Sequence, residues 1–366
     1  VKQHLRFLFP TAIICDSVQA VWHENSWNAD WDTWWHYKDG AIGGPSYWGH
    51  TAHMAYAEDV WRPCHMGKQQ SPISISSSDL IQDKSLRPLE VQGKEKQVSV
   101  PPVTREEFRS SSLQTKKCLC HNDDRFSYKS AKCIIVDLEI HNTGQDIKVE
   151  FLDSSPPLIL SGGPLSYDYR IFGALIKFGS DSTRGSDHQI DGFSFPAELQ
   201  FYAFNFVLYP NISTAVPSPN GLAGLSVFMK TGDRPSADLS ALLATVVDVQ
   251  LKGQLRRLNG LMVSALLPST SQFITYQGSL PFPACHETVT WIVLNQAVII
   301  TEAQLQSLRQ LRIGPVKESG TMANNYRPIQ KLNGRSVRTN IDFDSSVSSY
   351  GYQNQFSYIS NRDITS

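Results

Sequence analysis

The stretch Tyr169-Arg-Ile-Phe-Gly-Ala-Leu-Ile-Lys-Phe-Gly-Ser180 carries the reading of the fold. Arg170 to Phe178 is a short apolar run ended by Gly179-Ser180, which is the pattern of a strand rather than of a helix. Working outward, similar runs lie at Ile147 to Leu152, Leu158 to Leu160, Leu199 to Phe206, Leu222 to Met229 and Thr288 to Ile300, each bounded by turn residues. Two helices interrupt them. Ser236-Ala-Asp238 opens a run with Leu239, Leu242, Leu243 and Val246 at helical spacing, and Thr301-Glu302 caps a second with Leu305 and Leu308 on one face. Many strands with few helices predict one large sheet with helices on its outside, in a single domain over 21–343.

The flanks and one interior segment differ from this core. Lys2, Arg6, the apolar run Phe7 to Cys15 and the small residues near Ala20 read as an export signal over 1–20. Residues 21–62 are rich in tryptophan, read as a lid that packs on the core. Residues 91–133, with Lys94, Lys96, Arg105, Arg109, Lys116 and Lys117 and little periodicity, read as an inserted surface loop or a disordered arm. The Ser-, Tyr- and Asn-rich residues 344–366 read as a disordered tail.

With 33 Lys and Arg against 34 Asp and Glu, the chain has no basic field to collect nucleic acid or anionic lipid. No run of about 18 apolar residues follows the leader, so no membrane insertion is expected. A secreted, extracellular protein is the reading. If Cys15 leaves with the signal, five cysteines remain and one stays unpaired within the chain. Cys118, Cys120 and Cys133 read as a local disulfide with a spare thiol rather than a zinc knot, because C-x-C lacks the usual ligand spacing. Asn211-Ile-Ser213 is a glycosylation sequon.

Many segments in register resemble the alpha-carbonic anhydrases. They include Lys68-Gln-Gln-Ser-Pro-Ile73, Ser161-Gly-Gly-Pro-Leu165, Phe178-Gly-Ser180, Gly185-Ser-Asp-His188, Ala197-Glu-Leu199, Ser218-Pro-Asn-Gly-Leu222, Tyr276-Gln-Gly-Ser-Leu280, Glu287-Thr-Val-Thr-Trp291 and Asn325-Tyr-Arg-Pro328. Within that family, Tyr209-Pro-Asn-Ile-Ser213, Ser271-Gln-Phe-Ile-Thr-Tyr276 and Ser336-Val-Arg-Thr-Asn-Ile341 are similar to segments of the acatalytic carbonic anhydrase-related proteins X and XI. The resemblance implies a mainly β (α+β) domain with a central twisted, mostly antiparallel sheet of about ten strands and short outer helices. It also implies a disulfide between Cys64 and Cys285.

In the family, two histidines at i and i+2 on one strand and a third on its neighbour hold a catalytic zinc, an arrangement in which carbonic anhydrase is the standard case. The resemblance places these ligand positions at Leu175, Lys177 and Gln200, none of which is histidine. The supporting positions have changed as well. Pro281 stands at the threonine that orients zinc hydroxide, Asp187 at its carboxylate partner, Gln145 at the proton-shuttle histidine, and Tyr202 at a small wall position of the CO2 pocket. His188 matches a histidine that supports the fold rather than the metal. The expected outcome is no zinc cofactor and no catalysis, with Lys177 acting as a fixed cation held by Gln200 and one of the carboxylates Asp187 and Glu198. Snorkelling of Lys177 toward solvent is the simpler alternative. Function then lies in binding an extracellular protein, by resemblance of the neurexin type. The rival reading is residual zinc-dependent carbonate dehydratase or esterase activity through non-standard ligands.

Overall fold

The computed structural model describes residues 35–49, 61–93, 134–153 and 157–343. The export segment, Trp22, Trp27, Trp31 and Trp34, the bulk of the insertion with Cys118, Cys120 and Cys133, and the tail from 344 lie outside the described residues. In chain order the strands are β1 (Ser74–Ile75), β2 (Ile81–Gln82), β3 (Leu89–Gln92), β4 (Ile135–Asn142), β5 (Ile147–Phe151), β6 (Leu158–Gly162), β7 (Tyr169–Phe178) and β8 (Gln189–Ile190). They continue with β9 (Ala197–Phe204), β10 (Leu222–Thr231), β11 (Leu255–Met262), β12 (Phe273–Gly278), β13 (Val289–Leu294), β14 (Val298–Ile300) and β15 (Arg338–Thr339). The helices are α1 (Arg62–Met66), α2 (Ile212–Ala215), α3 (Ala237–Val247) and α4 (Glu302–Leu308).

One 13-stranded sheet dominates, in the order β11-β4-β5-β7-β9-β10-β13-β12-β15-β2, with β3, β6 and β14 joined off this path. Most pairings are antiparallel; β10 pairs with β13 and β14, and β15 with β2, in parallel. Alternation along each strand divides the core between the two faces. Ala174, Ile176, Leu199, Phe201 and Ala203 pack with Leu239, Leu242 and Leu243 of α3 and Leu305 and Leu308 of α4 on one face. Leu175, Tyr202 and Phe204 face the other way and pack with Trp35, Tyr37, Trp48, Phe228, Phe282 and Trp291.

The expected helices form where their caps stand. The Ser236 hydroxyl accepts from the Leu239 amide, and Thr301 forms a capping box with Gln304. The buried Asp238 carboxylate accepts from the Met262 amide and ties α3 to β11. Two expected boundaries are corrected. The run Thr288 to Ile300 breaks into β13 and β14 where its parallel register against β10 shifts by two residues, from Ser226 opposite Val293 to Met229 opposite Val298. Val91 and Gln92, placed by the sequence in the insertion, belong to β3 and pair with Leu160 and Ile159 of β6.

The tryptophans of the N-terminal segment that are described behave as packing residues. Trp35, Trp48 and Trp61 are buried, and Trp35 stands edge-on to Tyr37 and Trp48, with centroids 5.1 and 5.4 Å apart. Cys64 of α1 and Cys285, in the connection from β12 to β13, form a disulfide with Cα atoms 4.9 Å apart.

Candidate functional site

Where β7 and β9 run side by side, Leu175 pairs with Gln200 and Lys177 with Glu198. These residues share the sheet face that lies under residues 35–49, and all of them are fully buried. Two hydrogen-bonded clusters fill this cone-like region.

The first is centred on Lys177. Its Nζ donates to Asp146 Oδ1 and to the Tyr37 hydroxyl, each at 2.7 Å, and the Tyr37 hydroxyl donates to Asp146 Oδ2, also at 2.7 Å. The same ammonium lies 4.4 Å from the Tyr37 ring centroid. Asn325 Nδ2 adds a third donor to Asp146 at 2.9 Å. Three donors converging on one carboxyl group satisfy its ionised form. Burial pushes the Asp146 carboxyl up, opposed by Lys177, Tyr37 and Asn325. Burial first, and then the Asp146 charge, push the Tyr37 phenol well above the usual tyrosine value.

This arrangement corrects the expected one. Lys177 is held neither by Gln200 nor by Asp187 or Glu198, and with no exposed surface it does not snorkel. Its partner stands on the opposite side, for a reason of register. Ile147 of β5 pairs with Ile176 of β7, so the residue before Ile147 lies across from the residue after Ile176. An opposite-charge pair at such a position is the standard cross-strand stabilisation. The β4–β5 turn fixes Asp146: its amide donates to Thr143 Oγ1 at 2.9 Å, its carbonyl accepts from the Thr143 amide at 3.1 Å, and Gly144 takes a φ of 87°. The signal lay in the period-2 parity of Asp146, Lys148 and Glu150. The role of Tyr37, 109 residues from Asp146, had no local signal.

The second cluster is built on Glu198. Its carboxylate accepts from the His188 amide at 3.0 Å and from Ser226 Oγ at 2.7 Å, and it meets His188 Nδ1 at 2.8 Å. His188 Nε2 lies 2.7 Å from the Tyr276 hydroxyl, which in turn lies 2.9 Å from Ser71 Oγ. His188 is thus bonded into the framework, as the family resemblance implied. Gln200 Nε2 donates to Glu198 Oε1 and Asp187 Oδ2, each at 2.9 Å, while Gln200 Oε1 accepts from the Tyr202 hydroxyl at 2.8 Å. Asp187 Oδ1 accepts from the Arg327 amide at 2.7 Å. Burial, reinforced by Glu198 against the pull of Lys177, pushes the Asp187 carboxyl up to about 6. Burial also acts upward on Glu198, but the charge and hydrogen bonds of His188 outweigh it and hold that carboxyl below its usual range. Burial lowers the Arg327 guanidinium to about 10.

The remaining expected positions fall around these clusters. Tyr202 is fully buried, with its ring 5.9 Å from Phe282 and 5.7 Å from Trp291. Pro281 is buried beside Phe282 in the connection that also carries Cys285. Gln145 is buried and its Nε2 reaches the Trp35 carbonyl at 3.5 Å. Asn211 stands apart from the cone, as N-cap of α2, where its Oδ1 accepts from the Thr214 amide at 3.0 Å. Among the described residues, no group of three or more His, Cys, Asp and Glu side chains could hold a metal ion. No described helix is long and apolar enough to cross a membrane.

A large mixed sheet with few short helices and buried polar clusters between β5, β7 and β9 is consistent with one family, and comparison with known families agrees. The chain belongs to the eukaryotic-type carbonic anhydrase family, whose model matches residues 110–341. A Caenorhabditis elegans protein named "Putative carbonic anhydrase-like protein 2" is 35% identical over 312 residues, spanning 83% of this chain and 79% of its own.

Proposed function

We propose that this chain is a secreted, catalytically inactive carbonic anhydrase-related protein, akin to related proteins X and XI, that acts by binding an extracellular protein. The donor set of the cone carries the reading. Leu175 offers no lone pair, Lys177 Nζ is committed to Asp146 and Tyr37, and the Gln200 amide is used at both ends. A zinc ion at these positions would face an ammonium and a single amide oxygen, which does not fit its preference for thiolate, imidazole and carboxylate. No catalytic step is therefore routed through a metal.

The supporting residues agree with this reading. Pro281 has neither hydroxyl nor amide hydrogen to orient a nucleophile, and Gln145 has no ring nitrogen to relay a proton. The Tyr202 side chain occupies space beside Leu175 and Gln200 where a small substrate would need room.

The Cys64–Cys285 disulfide suits an oxidising compartment. Asn211 is proposed as a glycosylation site: its Oδ1 serves the helix cap, and Nδ2 is the atom a glycan would take. The partner class proposed, from the family resemblance, is a cell-surface protein of the neurexin type. Binding of the purified protein to cells that display such receptors tests this, alongside a variant lacking 94–133, which leaves β3 whole. Saturable binding that survives the deletion supports the carbonic anhydrase-like domain as the binding unit. Binding no greater than that of an active secreted carbonic anhydrase control would count against it.

A further inference from the structure

We propose that Lys177 and Asp146 form a latch that holds the segment 35–49 shut over the cone. The inference rests on the reading that no metal occupies this site. Segment 35–49 packs Trp35, Tyr37 and Trp48 into the apolar cluster on this face and Gly49 against Trp61, and it also makes polar and charged contacts. The Trp35 carbonyl accepts from Gln145 Nε2 at 3.5 Å, the Trp48 ring lies 5.4 Å from the Arg327 guanidinium, and the Tyr37 hydroxyl is bonded to both Lys177 and Asp146 at 2.7 Å. The first is long for a hydrogen bond and the second has no fixed direction. The third is short, charge-assisted and fully buried.

The three groups depend on one another. Lys177 without Asp146 is a buried cation whose remaining hydrogen bond goes to a phenol, with the Asp187 charge acting from farther off, and Asp146 without Lys177 is a buried anion with two neutral donors. Tyr37 donates to the anion and accepts from the cation, so each charge fixes the same hydroxyl. Glu198, the other carboxylate across from Lys177, is already engaged by His188, Ser226 and Gln200. In this chain a pair of opposite charges, one from β7 and one from the β4–β5 turn, joins the N-terminal segment to the middle of the sheet. The resident cation closes the cone instead of preparing it for substrate.

Hydrogen–deuterium exchange on the full secreted protein tests this. In Lys177→Met and in Asp146→Asn, exchange in peptides covering 35–49 should rise at least tenfold. Peptides covering α4, on the other face of the sheet, should change less than twofold. The double variant Lys177→Met/Asp146→Asn should exchange no faster in 35–49 than the worse single variant, because the charges act as one unit. Unchanged exchange in 35–49, or single effects that multiply in the double variant, would overturn the latch. Should the charge variants fail to fold, Tyr37→Phe keeps both charges and removes only the bridging hydroxyl. It should still speed exchange in 35–49 by threefold or more, and a wild-type rate would overturn the proposal. Elemental analysis of the same wild-type preparation separates the two ideas: bound zinc counts against the inactive-site reading, whereas the exchange data judge the latch.

Discussion

Tyr202 and Gln200 lie two residues apart on one face of β9, and the Tyr202 hydroxyl donates to Gln200 Oε1 across 2.8 Å. That contact orients the amide, so that its nitrogen faces the two carboxylates of Glu198 and Asp187. Tyr202→Phe leaves the buried amide oxygen without this donor. The expected loss is about 1–3 kcal/mol of unfolding free energy, read by urea denaturation. Wild-type stability would mean that the oxygen finds another donor and that the tyrosine serves only to fill space.

The Asp187 carboxyl gives a pH signature of defined sign. Its value of about 6 in the folded protein lies above the ordinary aspartate value, so between roughly pH 4 and 6 the folded state binds more protons than the unfolded state. The stability it contributes is complete below the lower value and is lost as pH rises through the upper one. Glu198, held low, works in the opposite sense: its contribution is present above the ordinary glutamate value and disappears as pH falls through its folded value. Relative to wild type, Asp187→Asn should therefore gain stability by about 1–3 kcal/mol as pH rises from 4 to 6. A flat difference curve, or one of opposite slope, would contradict the assignment.

The Cys64–Cys285 bond closes a loop across 221 residues of sequence. In the chain-entropy picture such a closure stabilises by at most about 5 kcal/mol, with 2–5 kcal/mol typical for a native disulfide. The double variant Cys64→Ala/Cys285→Ala should shift the urea midpoint down accordingly. An unchanged midpoint would show that the unfolded chain is already confined there.

Much of this was legible in the sequence, and the omissions have physical causes. Runs such as Arg170 to Phe178 are long enough for their ends and burial to be read, and Ser236 and Thr301 announced their helices through cap chemistry. The two-residue strands β1, β2, β8 and β15 exist only because a partner supplies the other half of each ladder. Leu175, Lys177 and Gln200 were brought together by the family resemblance, and β7 and β9 carry them side by side. The partner of Lys177 was misassigned because Asp146 occupies a turn, where alternation is easily overlooked, and because Tyr37 arrives from a distant segment that read as packing alone.

Placing histidines at the three proposed ligand positions tests how much of the proposed inactivity lies in the ligands. Leu175→His, Lys177→His and Gln200→His together should restore zinc binding yet give little CO2 hydration, because Pro281 and Tyr202 remain and Asp146 loses its cation. Efficient hydration by this triple variant, followed by stopped-flow, would show that those supporting positions matter less than their chemistry suggests.

The central claim, that the cone holds no catalytic metal, is tested most directly by zinc content and CO2 hydration measured on the same preparation of purified wild-type protein. The account expects far less than one zinc per chain and no hydration above buffer, even after incubation with excess zinc. One zinc per chain together with hydration that a sulfonamide inhibitor abolishes would contradict it.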